Sequence, residues 1–233
     1  MPLAEILTAA WQLRHRTAGA ARGRAVLGLA GAPGAGKSTL ARTLVAELTA
    51  RHGPRSVAYL PLDGFHLSDP QLVRLGLLDR KGAPATFDVH GYAALLARVA
   101  ACREHDIYVP DYDRVADAPI AARHVVPPEA ELVITEGNYL ACELPGWTEA
   151  RRHLDDLWYV DAPDAVREWR LLERRLAQGT APQEARDWLR RSDIPNGELV
   201  RASRDHPWVS RRVSSPLDGP AAAPDGPPGP DAR

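Results

Sequence analysis

The sequence predicts an α/β fold: a parallel sheet flanked by helices on both faces, with a helical lid at its ligand edge. Three observations carry that prediction. Short apolar runs alternate with segments of helical periodicity from Ala25 to about Arg204, the pattern of a parallel sheet joined by crossover helices. A glycine-rich turn, Gly31-Ala-Pro-Gly-Ala-Gly-Lys-Ser-Thr39, separates the first such run from the first such helix. The acidic residues Asp63, Glu136 and Asp161 each stand at the end of an apolar run, where a parallel sheet collects its ligands.

The elements follow in order. Met1 to Arg14 places its charges after a short apolar stretch and reads as an amphipathic helix within a leading segment 1–24, not as a signal peptide. Ala25–Ala30 is the first buried strand and Thr39–Leu48 lies in the first crossover helix. Ser56–Pro61 is a second strand, and a helix carrying Leu72, Val73 and Leu75 follows. Residues 77–90 form a connection long enough to suggest function. Leu95, Leu96, Val99 and Ala100 share one face of a helix from Tyr92 to Arg103. Two short extended pieces, Ile107–Pro110 and His124–Val126, flank a turn expected at Asp111–Arg114. Glu131–Thr135 and Leu157–Val160 are further buried strands, with helices expected over 163–178, 182–192 and 197–204. The core domain is thus placed at 25–213, and the Pro/Ala/Gly-rich residues 214–233 are expected to form an unstructured tail.

A chain of 233 residues suffices for a single α/β domain. The formal net charge of −1, without a basic block, gives no basis for nucleic acid or an anionic membrane as main partner. No apolar run approaches ~18 residues, so no membrane span is expected. Cys102 and Cys142 lack metal-ligand spacing and a disulfide-rich context, which predicts reduced thiols and a cytoplasmic location.

The glycine-rich turn matches a phosphate-binding loop in the right context, strand before and helix after. Backbone N–H groups of Gly31, Ala32, Gly34, Ala35 and Gly36 curl around a phosphate, while Pro33, which has no N–H, belongs to the same turn. The helix that follows adds its positive end. Lys37 reaches the β and γ phosphates, Ser38 ligates Mg²⁺, and Thr39 closes the motif. Only two of the 29 basic residues are lysines, Lys37 and Lys81, so lysine is not a casual surface charge here. The implied ligands are ATP and Mg²⁺.

Phosphoryl transfer needs a metal to neutralise the triphosphate and a group that orients the nucleophile and takes its proton. Asp63 and Glu136 are the candidates, with a helix cap or turn as the competing reading for both. Gly64 would permit close approach beside Asp63, and Phe65 and His66 would wall a pocket. Asp161 precedes Ala162-Pro163 and reads as a helix cap. Arg167, Arg170, Arg174 and Arg175 recur at helical spacing on one face; they would close over the phosphates as a lid, or else form a solvated face paired with Glu168 and Glu173.

Six segments in fixed order resemble the family of small-molecule kinases that includes uridine kinase, phosphoribulokinase and type I pantothenate kinase: Gly31–Thr39, Leu62–Leu67, Arg80–Asp88, Tyr108–Asp113, Glu136–Leu140 and Arg170–Arg175. The resemblance covers about residues 25 to 205. It implies a P-loop NTPase-type fold, Asp63 as the base for the acceptor hydroxyl, and Glu136 as support for metal and substrate. It makes Arg170 and Arg174 the lid arginines and puts Phe87, Asp88, Tyr112 and Arg114 at the acceptor pocket. Two departures stand out: only about thirty residues precede the phosphate loop, fewer than pantothenate kinases usually carry, and Asp205–Val213 is less apolar than an expected closing strand. The latter leaves the adenine-side edge unassigned.

The expected activity is phosphorylation of a hydroxyl on a small metabolite, whether nucleoside, pantothenate-like acid or sugar. A GTPase would need an Asn-Lys-x-Asp segment, which the two lysine positions exclude. A regulatory or chaperone ATPase without an acceptor is the alternative, and Asp63 argues against it. Oligomeric state is not legible.

Overall fold

The computed structural model describes residues 1–17 and 23–214. The expected tail therefore lies outside the described residues apart from Ser214. The helix of the leading segment is α1 (Leu3–Thr17). The α/β unit then runs β1 (Ala25–Ala30), α2 (Lys37–His52), β2 (Val57–Pro61), α3 (Asp69–Leu75) and α4 (Val89–Ala101). It continues through β3 (Ile107–Asp113), β4 (Ala118–Val126), β5 (Leu132–Glu136), α5 (Trp147–Arg151) and β6 (Asp156–Asp161). The last elements are α6 (Asp164–Ala177), α7 (Pro182–Trp188), α8 (Ile194–Arg201) and β7 (Arg211–Ser214).

Five strands form one parallel sheet in the order β2-β5-β1-β6-β7. Alternation along β1 explains why it sits in the middle. Ala25, Leu27 and Leu29 point to one face, where Ile6, Leu7, Ala10 and Leu13 of α1 and Leu40, Leu44 and Leu48 of α2 pack. Val26 and Ala30 point to the other face, with Tyr92, Leu96 and Val99 of α4 and Trp147 of α5. A strand covered on both faces needs apolar residues at both parities, and β1, β2 and β5 are buried throughout.

Beside this sheet, β3 and β4 form a separate antiparallel ribbon. Here the structure corrects the sequence expectation. Asp111 and Tyr112 lie in the ladder opposite Ile120 and Pro119, not in a turn. The reversal falls at 114–117 because the Asp113 carboxylate accepts the N–H groups of Val115 and Ala116, each at 2.9 Å. The ribbon's mostly exposed outer strand carries no buried run to announce its length.

The weakly apolar C-terminal stretch does form a closing strand. β7 lies at the sheet edge, where one buried side chain, Val213 opposite Val160, is enough. The helix expected over 182–192 ends instead in a π-helical turn at Leu189–Asp193, with the Ile194 N–H bonded to the Leu189 carbonyl. Pro195 explains the widening, since it has no N–H to continue the ordinary ladder. Asp161 is not a helix cap: the α6 cap position is Pro163, and the Asp161 carboxylate lies 3.6 Å from Arg204.

Gly64 permits a close approach, but by the protein's own backbone. A Cβ there would stand 2.5 Å from the Pro110 carbonyl, so the absence of a side chain is what seats the ribbon against the 3-10 turn Leu62–Phe65. Gly64→Ala is expected to cost about 1–3 kcal/mol through overpacking, read as a drop in Tm. An unshifted Tm would show that the ribbon yields without penalty.

Candidate active site

The loop between β1 and α2 is held from outside by the lid helix. Gly34 has φ 79°, and a Cβ on it would lie 2.6 Å from the Arg167 carbonyl oxygen, so only glycine lets α6 approach. Arg167, buried, donates to the Pro33 carbonyl at 3.0 Å and pairs with Asp164. Arg170 donates to the Gly34 carbonyl at 3.1 Å. Gly36 takes the left-handed cap position of α2. Lys37 opens that helix and its Nζ donates to the Ala32 carbonyl at 3.1 Å. Burial pushes the Lys37 ammonium down to about 8, with Glu136 and then Asp63 acting in the opposite direction.

A cleft of about 610 Å³ opens at the carboxyl ends of β1, β2 and β5. Gly34, Gly36, Lys37, Ser38 and Thr39 line one wall. Pro61 and Glu136 end adjacent strands in register, which brings Asp63 and Glu136 to the cleft together. Glu136 is buried and accepts from Tyr59 Oη at 2.9 Å. Burial raises its carboxyl and the nearby Asp63 adds to the rise, while Lys37, Tyr59 and Ser38 oppose it. Burial first, then Glu136, also holds the Tyr59 phenol up. The Asp63 carboxylate caps no helix; it pairs with Arg114 at 3.2 Å. Its backbone carbonyl makes the turn, accepting from the His66 N–H.

The opposite wall holds His66, Tyr112 and Arg114. His66 lies tilted between Phe87 and Tyr112, at ring distances of 4.1 and 4.9 Å, and its desolvation lowers the imidazole. Phe87 and Asp88 do not line the cleft. The ring of Phe87 is core, edge-on to Tyr139 and Trp147, and backs His66 from behind. Asp88 caps α4 by accepting the Gly91 N–H at 2.8 Å. Phe65 packs edge-on against Tyr92, also outside the cleft. Ala32 and Ala35 are buried within the loop.

Sequence reasoning missed two cleft residues of consequence. Lys81 pairs with Asp69 at 2.8 Å and Asp117 at 2.9 Å and lies over the Tyr112 ring, whose hydroxyl donates to Asp117. It thereby clasps α3, the 77–90 connection and the ribbon tip around the cleft. Its rarity as one of two lysines was the available signal. Asp193, at the end of the π-helical turn, faces Arg175 at 3.7 Å and also lines the cleft. No local pattern marks it.

Arg170, Arg174 and Arg175 line the cleft, and Arg174 stands close enough to Arg114, Asp193 and Asp63 to feel their charges. Along this helix Arg167 pairs with Asp164 and Arg175 with Asp193. Arg170→Ala and Arg174→Ala are expected to lower kcat more than they raise the ATP KM, as for contacts that strengthen toward the transition state. Wild-type kcat in both variants would return the helix to a solvated face.

No family model matches the chain. A solved structure from Silicibacter sp. TM1040, titled "putative fructose transport system kinase", is 34% identical and superposes with a TM-score of 0.80, covering 91% of this chain and 99% of that one. The "Putative uridine kinase C227.14" of Schizosaccharomyces pombe is 32% identical over 192 residues, 80% of this chain and 82% of that protein. The chain belongs to the P-loop small-molecule kinases. A pantothenate kinase of Streptomyces avermitilis is 31% identical over 173 residues, and the match spans 52% of that longer protein. As a P-loop kinase the chain uses a nucleotide and a small-molecule substrate. No described helix is long and apolar enough to cross a membrane.

Proposed function

We propose that this kinase transfers the γ-phosphoryl group of ATP, with Mg²⁺, to a hydroxyl of a small metabolite: a nucleoside, a sugar or a pantothenate-like acid. The observation that carries the reading is Asp63, whose carboxylate shares the cleft with Lys37 and Glu136 yet is engaged by Arg114 from the opposite wall. That wall is superfluous for binding ATP alone, which disfavours a regulatory or chaperone ATPase.

In this reading the acceptor oxygen bonds to the γ-phosphorus as the bond to the β–γ bridging oxygen breaks. ADP leaves with the electron pair, and the acceptor proton passes to an oxygen of Asp63. Lys37 and the loop N–H groups hold the phosphates, and Arg170 and Arg174 meet the charge on the transferring group. Among the described residues no group of three His, Cys, Asp or Glu side chains gathers as a self-contained metal site. Mg²⁺ on a nucleotide needs only one or two protein ligands beside phosphate and water, and Ser38 with the buried Glu136 suits that demand. The ion supplies charge neutralisation of the phosphates when bound. Free Cys102 and Cys142 support a cytoplasmic location.

The test is ADP release over a panel of nucleosides, sugars and pantothenate. Acceptor-dependent release is the expected result. A slow release indifferent to every acceptor would favour the ATPase alternative.

A further inference from the structure

The charges on the far wall of the cleft bear on what it accepts. Besides Lys37 and Arg42 of α2, Glu136, and Arg170 and Arg174 of α6, the lining carries five carboxylates, Asp63, Asp69, Asp117, Glu184 and Asp193, against three cations, Lys81, Arg114 and Arg175. Each of those cations already meets a carboxylate: Lys81 meets Asp69 and Asp117, Arg114 meets Asp63, and Arg175 meets Asp193. Arg175 also lies near enough to Asp117 to act on it, so the lid and the ribbon tip face one shared space.

On this wall, recognition of an acid would require Lys81, Arg114 or Arg175 to leave its partner. Moving Arg114 onto a substrate carboxylate would strip Asp63 of its counter-charge, and moving Lys81 would undo the clasp that shapes the wall. What the wall offers instead is hydrogen-bonding capacity for hydroxyl groups. Asp193 Oδ2 is buried and makes no hydrogen bond among the described residues, with Arg175 Nε 3.7 Å away, and Asn138 and Asn196 line the same space. A carboxylate oxygen accepts from a hydroxyl and repels an anion, whereas a side-chain amide both donates and accepts.

We infer that the acceptor is an uncharged polyhydroxy compound, a free sugar or the sugar of a nucleoside, and that the cleft rejects hydroxy acids. The inference rests on the phosphotransferase reading and narrows it, setting this chain apart from relatives named for pantothenate.

Matched pairs that differ in one carboxylate test it on the full chain with saturating Mg-ATP: sorbitol against gluconate, and pantothenol against pantothenate, with fructose and uridine as the free-sugar and nucleoside arms. The neutral compounds are expected to support acceptor-dependent ADP release, and in any pair that is turned over the neutral member should have a kcat/KM higher by roughly tenfold or more. Asp193→Asn, which removes a charge and keeps the shape, should shrink that ratio severalfold while a Tm measurement confirms folding. Turnover of fructose or of uridine alone supports the inference and identifies which source supplies the sugar. An acid used as well as its neutral twin, or a ratio unmoved by Asp193→Asn in a folded variant, overturns the inference and leaves the phosphotransferase standing. Absence of acceptor-dependent release from every compound overturns both.

Discussion

Lys37→Ala is expected to abolish tight ATP binding and, with it, turnover. The ammonium is buried at the start of α2 and donates to the Ala32 carbonyl. Truncating one partner of a buried, hydrogen-bonded charge pair costs about 2–5 kcal/mol, which corresponds to roughly a thirtyfold to several-thousandfold loss of ATP affinity. Folding should survive. Burial depresses the lysine to about 8, so at neutral pH the folded state carries a charge held at a cost, and removing it should leave Tm unchanged or raised. Titration calorimetry with ATP beside a thermal melt separates the two effects. Unchanged affinity would mean that the phosphates sit elsewhere.

Asp63→Asn carries the second large effect. Loss of a general base lowers kcat by about 10²–10⁴, while ATP affinity hardly moves because Lys37, Ser38 and Glu136 are intact. If Asp63 acts chiefly on the metal, the Mg²⁺ requirement shifts to higher concentration and ATP binding weakens with it. If the residue matters only for the turn, asparagine keeps a near-normal rate. The turn itself is made by the Asp63 backbone carbonyl and the His66 N–H, which substitution leaves in place, so the rate reports on the carboxylate. A kcat within about threefold of wild type would sink the catalytic role.

The parts of this protein that were legible in its sequence are those whose burial is two-sided or whose motif is contiguous. β1, β2 and β5 announce themselves because both faces are covered, and the loop from Gly31 to Thr39 because its chemistry fits within nine consecutive positions. The edge strand β7 and the ribbon were underestimated because an edge needs only Val213 inside and a solvated ribbon needs almost nothing inside. At the site, Asp63, Glu136 and the arginines of α6 follow from strand ends and helical spacing. The cluster of Lys81 with Asp69, Tyr112 and Asp117 is assembled from residues up to 48 positions apart, only by packing. Phe87 and Asp88 show the converse: both belong to the Arg80–Asp88 segment that carries the family resemblance, yet one fills the core and the other caps a helix.

The central claim is that the phosphoryl group goes to an acceptor held beside Asp63, and following the group itself tests it most directly. The enzyme is incubated with ATP labelled at the γ-phosphorus and with the acceptor that stimulates ADP release, and the labelled products are separated. The account predicts label in a phosphomonoester of that acceptor, in amounts equal to the ADP formed, and its near-disappearance in Asp63→Asn at undiminished ATP binding. Label found only in inorganic phosphate, at the same rate with and without acceptor, would contradict it.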